Sequence, residues 1–104
     1  MVLEVATLNV IPGKTGEFEA SFKIAMGIIS SMNGFLGLKL QRCYENSNRY
    51  ILLVKWDTLE DHITGFRGSP EYQDWKKWLH QYYLPFPVVE HYSLVEEIPK
   101  KNQQ

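Results

Sequence analysis

All three histidines of this chain, His62, His80 and His91, fall between Tyr50 and Tyr92, together with most of its aromatic side chains. An imidazole titrates near neutrality, so a histidine that can turn inward is the first candidate for proton chemistry. His62 lies one step from Leu59, Ile63 and Phe66, which recur at helical spacing, so it can face the core as a base. Its plain structural reading is a hydrogen-bonded helix histidine. His91 stands two residues beyond Val89 on a final strand, where it can point inward or toward a partner chain. His80 shares a helix face with Lys76 and Lys77 and reads as solvent-exposed. Arg67, at a helix end, can hold an anion or simply complement the helix dipole. Tyr72 and Trp75 are at helical spacing and suit core packing or stacking on a ring-shaped ligand. Asn9 is polar where a strand calls for apolar residues, which makes it a candidate to line a pocket.

Other chemistries lack their residues. There is no glycine-rich phosphate loop, and the histidines, Cys43 and carboxylates show no metal-ligand spacing, so no metal and no cofactor is expected. Cys43 has no internal partner for a disulfide and reads as a small strand residue. A net charge of -1 with no basic stripe argues against nucleic acid. No apolar run approaches the roughly 20 residues that span a bilayer, and no basic leader precedes one. The expectation is a cytoplasmic protein with no membrane partner.

These side chains need elements to hold them, and the chain of 104 residues supplies one domain, expected over 1–97, with a disordered polar tail over 98–104. Val2 to Val10 reads as a strand, with Leu3, Val5 and Thr7 on one side and Ala6, Leu8 and Val10 on the other. A helix from about Gly16 to Met32 presents Phe18, Phe22, Ala25, Ile29 and Met32 as one stripe, and Asn33-Gly34 stops it. Phe35 to Glu45 and Arg49 to Trp56 form a hairpin around Asn46-Ser47-Asn48, with Asn taking the left-handed region. Asp57 or Thr58 caps the next helix, with Glu60 or Asp61 completing a capping box and Leu59, Ile63 and Phe66 as its buried stripe. Gly68 breaks that helix; Ser69 and Pro70 restart it with Tyr72, Trp75, Trp78, Leu79 and Tyr82 on one face. Val88 to Val95, after Pro85 and Pro87, is the last strand.

The order is strand, helix, strand, strand, helix, strand: an α+β, ferredoxin-like βαββαβ fold with a four-stranded antiparallel sheet. Two helices cover one face of such a sheet. Yet the third strand is apolar on both, with Tyr50, Leu52, Val54 and Trp56 against Ile51 and Leu53. A wet second face would leave a patch larger than monomers usually carry. A homodimer is therefore expected, its two sheets closing into a dimeric α/β barrel.

Pro12-Gly13-Lys14 before the first helix, Gly34-Phe35 before the second strand and Trp56 ending the third resemble antibiotic-biosynthesis monooxygenase domains. Asp61-His62, Gly65-Phe66-Arg67, Ser69-Pro70, Tyr72, Trp75 and the run from Pro85 to Tyr92 resemble one subgroup of that family, so the likeness covers roughly residues 2 to 96. It implies a dimeric barrel with a pocket between sheet and helices in each subunit. It also implies a monooxygenase that uses molecular oxygen without flavin, metal or nicotinamide on a small aromatic such as a quinol or anthrone. His62 and His91 would then be the catalytic candidates, and Asn9, Trp56, Phe66, Arg67, Tyr72 and Trp75 the substrate-binding ones. Two alternatives stay open. One is a non-catalytic dimeric ligand-binding module. The other is a heme-binding or heme-degrading member, a class that uses a first-strand Asn, a helix Trp and a distant His. Asn9 and Trp75 are present for it, and the distant histidine is not.

Overall fold

A computed structural model describes residues 1–101. Four strands, β1 (Val2–Asn9), β2 (Phe35–Arg42), β3 (Arg49–Trp56) and β4 (Val89–Tyr92), form one antiparallel sheet in the order β2-β3-β1-β4. Helices α1 (Thr15–Ile29) and α2 (Pro70–Leu79) cover one face, with a π-helical segment (Asp61–Phe66) before α2 and a 3-10 turn (His80–Tyr82) after it. This is the expected ferredoxin-like plan. Among the described residues no helix is long and apolar enough to cross a membrane.

The core is built as the hydrophobic pattern requires. Phe18, Phe22, Ala25 and Ile29 of α1 are buried on the stripe their spacing defines. They meet Tyr50, Leu52, Val54 and Trp56 of β3 and Ala6, Leu8 and Val10 of the first-strand region. The other sheet face carries Leu3, Val5, Ile51 and Leu53, each half-buried in the single chain. Gly34 ends the α1 turn at φ 81°, the left-handed backbone that glycine adopts without a Cβ penalty. Its carbonyl accepts from Asp57 N–H at 2.7 Å, which ties this turn to the end of β3.

Several expectations are corrected. The β2–β3 turn uses no left-handed asparagine, since among the described residues the only positive φ angles belong to glycines. Instead Asn46 Oδ1 accepts from Asn48 N–H at 3.0 Å, so the side chain closes the turn. β4 stops at Tyr92 rather than Val95, because Tyr92 already pairs with Leu3 and β1 has almost no residues left beyond it. The expectation of a disordered tail over 98–104 falls partly on 102–104, which lie outside the described residues; up to Lys101 the chain has no regular secondary structure after Tyr92.

The stretch after β3 differs most. Thr58 and Asp61 do form the reciprocal cap: Asp61 N–H donates to Thr58 Oγ1 at 3.1 Å and Thr58 N–H to Asp61 Oδ2 at 3.2 Å. Beyond the cap the chain winds as a π-helix, closed by Arg67 N–H to His62 O at 3.0 Å. An i→i+5 turn takes up one more residue than an α-helical turn, which rotates the buried face. His62 and Phe66 are buried at 2% exposure each, while Leu59 and Ile63, expected inside, are 38% and 44% exposed. In α2, Trp75 and Leu79 are buried but Trp78 is 40% exposed.

Candidate active site

Between the helix-covered face of the sheet and the elements from Asp61 to Val89 lies a cavity of about 40 Å³. Glu4, Ala6 and Leu8 of β1 form its floor, and His62, Phe66 and Arg67 one wall. Tyr72, Trp75 and Leu79 of α2 form another, and His80, Tyr83 and Phe86 lie toward the mouth. Phe66 anchors the aromatic wall, edge-on to Tyr72 at 5.3 Å and to Trp75 at 5.7 Å between ring centroids.

The polar centre is a linear set of four side chains from four different elements. Trp56, at the end of β3, donates its indole N–H to Glu4 Oε1 at 2.9 Å. The same oxygen lies 3.3 Å from His62 Nε2. On the far side of that ring, His62 Nδ1 is 2.7 Å from His91 Nε2. The Trp56 indole also stacks on the His62 imidazole, 5.3 Å between centroids and 18° from parallel, so the ring is held in plane as well as at both nitrogens. β-Sheet register explains the arrangement: Glu4 and His91 are directly opposed on β1 and β4, and the π-helical segment lowers His62 between them.

The contact between Glu4 and His62 is within ion-pair distance, but its surroundings favour uncharged partners. Glu4 is 6% exposed, and burial pushes its carboxyl above the ordinary carboxylate value, with the Trp56 donor and the nearby Arg67 charge pulling the other way. Burial, then Arg67, then His91, push His62 down to about 3. His91 is lowered too, by burial and by Arg67. Two hydrogen assignments satisfy the set without any charge on a ring. In one, Glu4 O–H donates to His62 Nε2 and His62 Nδ1–H to His91 Nε2. In the other, both bonds run the opposite way and Glu4 is a carboxylate. No buried side-chain polar atom among the described residues lacks a partner.

Two histidines and a carboxylate can make a metal triad, yet these do not converge. Glu4 and His91 address opposite nitrogens of one ring, so no single point lies within ligand distance of all three. No group of three His, Cys, Asp or Glu among the described residues is arranged to hold a metal.

Of the sequence candidates, His62, Phe66, Arg67, Tyr72 and Trp75 line the cavity, and Trp56 and His91 hold the polar set from behind. Asn9 does not line it. It belongs to the opposite face of β1, where its Oδ1 accepts from Arg49 Nε at 3.5 Å. Two participants escaped the sequence reading. Glu4 continues the inward series Ala6, Leu8, Val10 one step toward the N-terminus, and a carboxylate at an inward position is the signal that would have found it. His80 was expected in water. The 3-10 turn that begins at His80 instead turns it inward, edge-on to Phe86 at 4.9 Å, and burial lowers its pKa ahead of the Lys76 charge.

The family model for antibiotic biosynthesis monooxygenase matches residues 1–78. The chain belongs to that family. It is 52% identical over 93 residues to the uncharacterized protein YczJ of Bacillus subtilis (strain 168), covering 89% of this chain and 98% of that one. A crystal structure from Bordetella bronchiseptica carrying the same family designation superposes with a TM-score of 0.88 at 33% identity, over 91% of this chain and 97% of the other. SnoaB from Streptomyces nogalater, described as a cofactor-independent oxygenase, superposes with a TM-score of 0.83 over 95% and 97% of the two chains. At 18% identity, that likeness is one of fold.

Proposed function

We propose that this family member is a cofactor-independent monooxygenase that oxidises a small electron-rich aromatic, a quinol or anthrone-like compound, with molecular oxygen. The observation that carries the reading is the Glu4–His62 pair, buried under a ring-lined cavity and held away from the charged state. Once ionised, Glu4, whose pKa burial raises, is the stronger acceptor for a phenolic proton, and the Arg67 cation lining the same cavity favours the resulting oxyanion. The deprotonated ring is then electron-rich enough to reduce oxygen itself. One oxygen atom enters the ring as a carbonyl in place of two hydrogens, the other leaves with those hydrogens as water, and the substrate supplies all four electrons that dioxygen takes up. The fold shared with SnoaB, a cofactor-independent oxygenase, supports the same class of reaction.

The space favours the smaller substrate. A cavity of about 40 Å³ admits only about three waters, so a ring enters as the mouth at Phe86, 61% exposed, moves outward. A single-ring quinol needs less of that movement than a three-ring anthrone. The heme-degrading reading gains no support, because Asn9 faces away from the cavity and Trp75 is 6% exposed within the core.

A homodimer and a cytoplasmic setting belong to the same reading. Support for the dimer comes from Leu3, Val5, Ile51 and Leu53 on the open sheet face, flanked by Leu36 and Tyr92 at 54% and 50% exposure. The deciding measurement is oxygen uptake by the purified protein with a panel of quinols and anthrones. Consumption that matches quinone formed, and that is lost in His62→Ala, is the expected result. Saturable binding with no uptake would replace the oxygenase by the binding module.

A further inference from the structure

We propose that Glu4, His62 and His91 form a directed proton path, which takes up the substrate's proton at Glu4 and releases one to solvent at His91. This deepens the oxygenase reading and rests on it for the identity of the substrate. Three observations carry it. The two hydrogen bonds use opposite nitrogens of the His62 ring, 3.3 Å to Glu4 and 2.7 Å to His91, which is the connectivity a proton relay needs and a metal site does not. Exposure is graded along it: Glu4 and His62 are buried, and His91 is half-buried. Glu4 and His62 line the cavity, whereas His91 does not, so the set has an inner end and an outer end.

The steps balance. In the resting form Glu4 O–H donates to His62 Nε2, and His62 Nδ1–H donates to His91 Nε2. The Glu4 proton moves to His62 Nε2 as the Nδ1 proton moves to His91 Nε2, and the proton on His91 Nδ1 passes to water. His62 carries one proton before and after, so no buried imidazolium forms. The product of these transfers is a Glu4 carboxylate beside the cavity, within the field of Arg67, and this carboxylate takes the hydroxyl proton of the substrate. Glu4 then gives that proton to the departing water, and the same transfers in reverse, fed by a solvent proton at His91 Nδ1, restore the resting form. The charged and titratable groups that bear on His62 are Glu4 from β1, His91 from β4 and Arg67 at the end of its own segment. Glu4 and His91 thus act on the substrate by carrying and orienting protons through His62.

Nitrogen-15 NMR of the histidines in the intact protein tests the path without turnover. At neutral pH, His62 is expected as a neutral ring protonated on Nδ1, with a scalar coupling across the hydrogen bond to His91 Nε2. Infrared spectra should show a protonated carboxyl that disappears in Glu4→Gln. A doubly protonated His62 facing an ionised Glu4 would make the contact a static ion pair and overturn the path. The half-buried position makes His91→Gln the safer variant to fold. With a quinol that is turned over, it should lower kcat by roughly 100-fold at unchanged KM, with recovery on adding imidazole. An unchanged kcat would also overturn the path. The two readings fail separately: no oxygen uptake with the NMR signature intact removes the oxygenase, and uptake without the signature removes the path.

Discussion

Glu4 and His91 face each other across the β1–β4 ladder and reach the same imidazole from its two ends. The ring they share, that of His62, is 2% exposed and stacked on Trp56. Its placement therefore makes one side chain answer to four elements at once, and the pH behaviour of the whole molecule should report it.

His62 titrates near 6.5 when unfolded and is pushed down to about 3 when folded. Between those values the unfolded chain binds the extra proton, so stability is complete above about 6.5 and falls as the pH drops toward 3. The slope contributed by one such group approaches about 1.4 kcal/mol per pH unit. Glu4 acts in the opposite sense. Its contribution is complete below the ordinary carboxyl value of 4.5 and is lost as the pH rises from there through the raised folded value. Thermal unfolding across this range should show the acid-side loss in the native protein and a flatter profile in His62→Gln.

Two glycines should respond in opposite directions to the same substitution. A Cβ at Gly34 would collide with the Asp61 carboxylate, on top of the cost of a left-handed φ. Gly34→Ala is expected to destabilise by about 2 kcal/mol or more, because it also disturbs the cap that Asp61 makes with Thr58. Gly27, inside α1, has no atom within 4 Å of the place a Cβ would occupy, so Gly27→Ala should stabilise by roughly 0.5–1 kcal/mol. Urea midpoints of the two variants check both signs.

Leu53 lies half-buried in the middle of the open sheet face, opposite Val5 on β1. If a second copy covers that face, the native protein sediments as a dimer and Leu53→Lys shifts it to a monomer at micromolar concentration. A variant that remains dimeric would move the partner to another surface.

Phe86 is 61% exposed where it caps the cavity, held by its edge-on contact with His80. Phe86→Ala should leave the polar set intact while opening the mouth. The expected outcome is a several-fold lower KM for three-ring anthrones than in the native protein, with little change for single-ring quinols. Steady-state oxygen uptake on both substrates measures it.

Much of this architecture was legible in the chain because its signals are local. The α1 stripe, the glycine at the left-handed turn, the Thr58–Asp61 cap and the two-sided β3 each follow from residues within a few positions of one another. The polar set was legible only in part. Glu4 binds Trp56 across 52 residues and reaches His62 on a segment still further along the chain, and nothing near Glu4 in sequence announces either partner. His80 and Ile63 were misplaced for a different reason: a 3.6-residue period was projected onto segments that wind as 3-10 and π turns.

β4 is the shortest strand, with four residues against eight in each of the others, and it lies at the edge of the sheet. His91 is on it. A brief detachment of this ribbon breaks the imidazole–imidazole contact while the packed interior stays intact, since none of the buried core residues belongs to it. The proportion of molecules able to pass protons outward is then governed by the fraying free energy of one border segment. Amide hydrogen exchange at the β4 residues whose N–H groups bond to β1 reads that quantity directly.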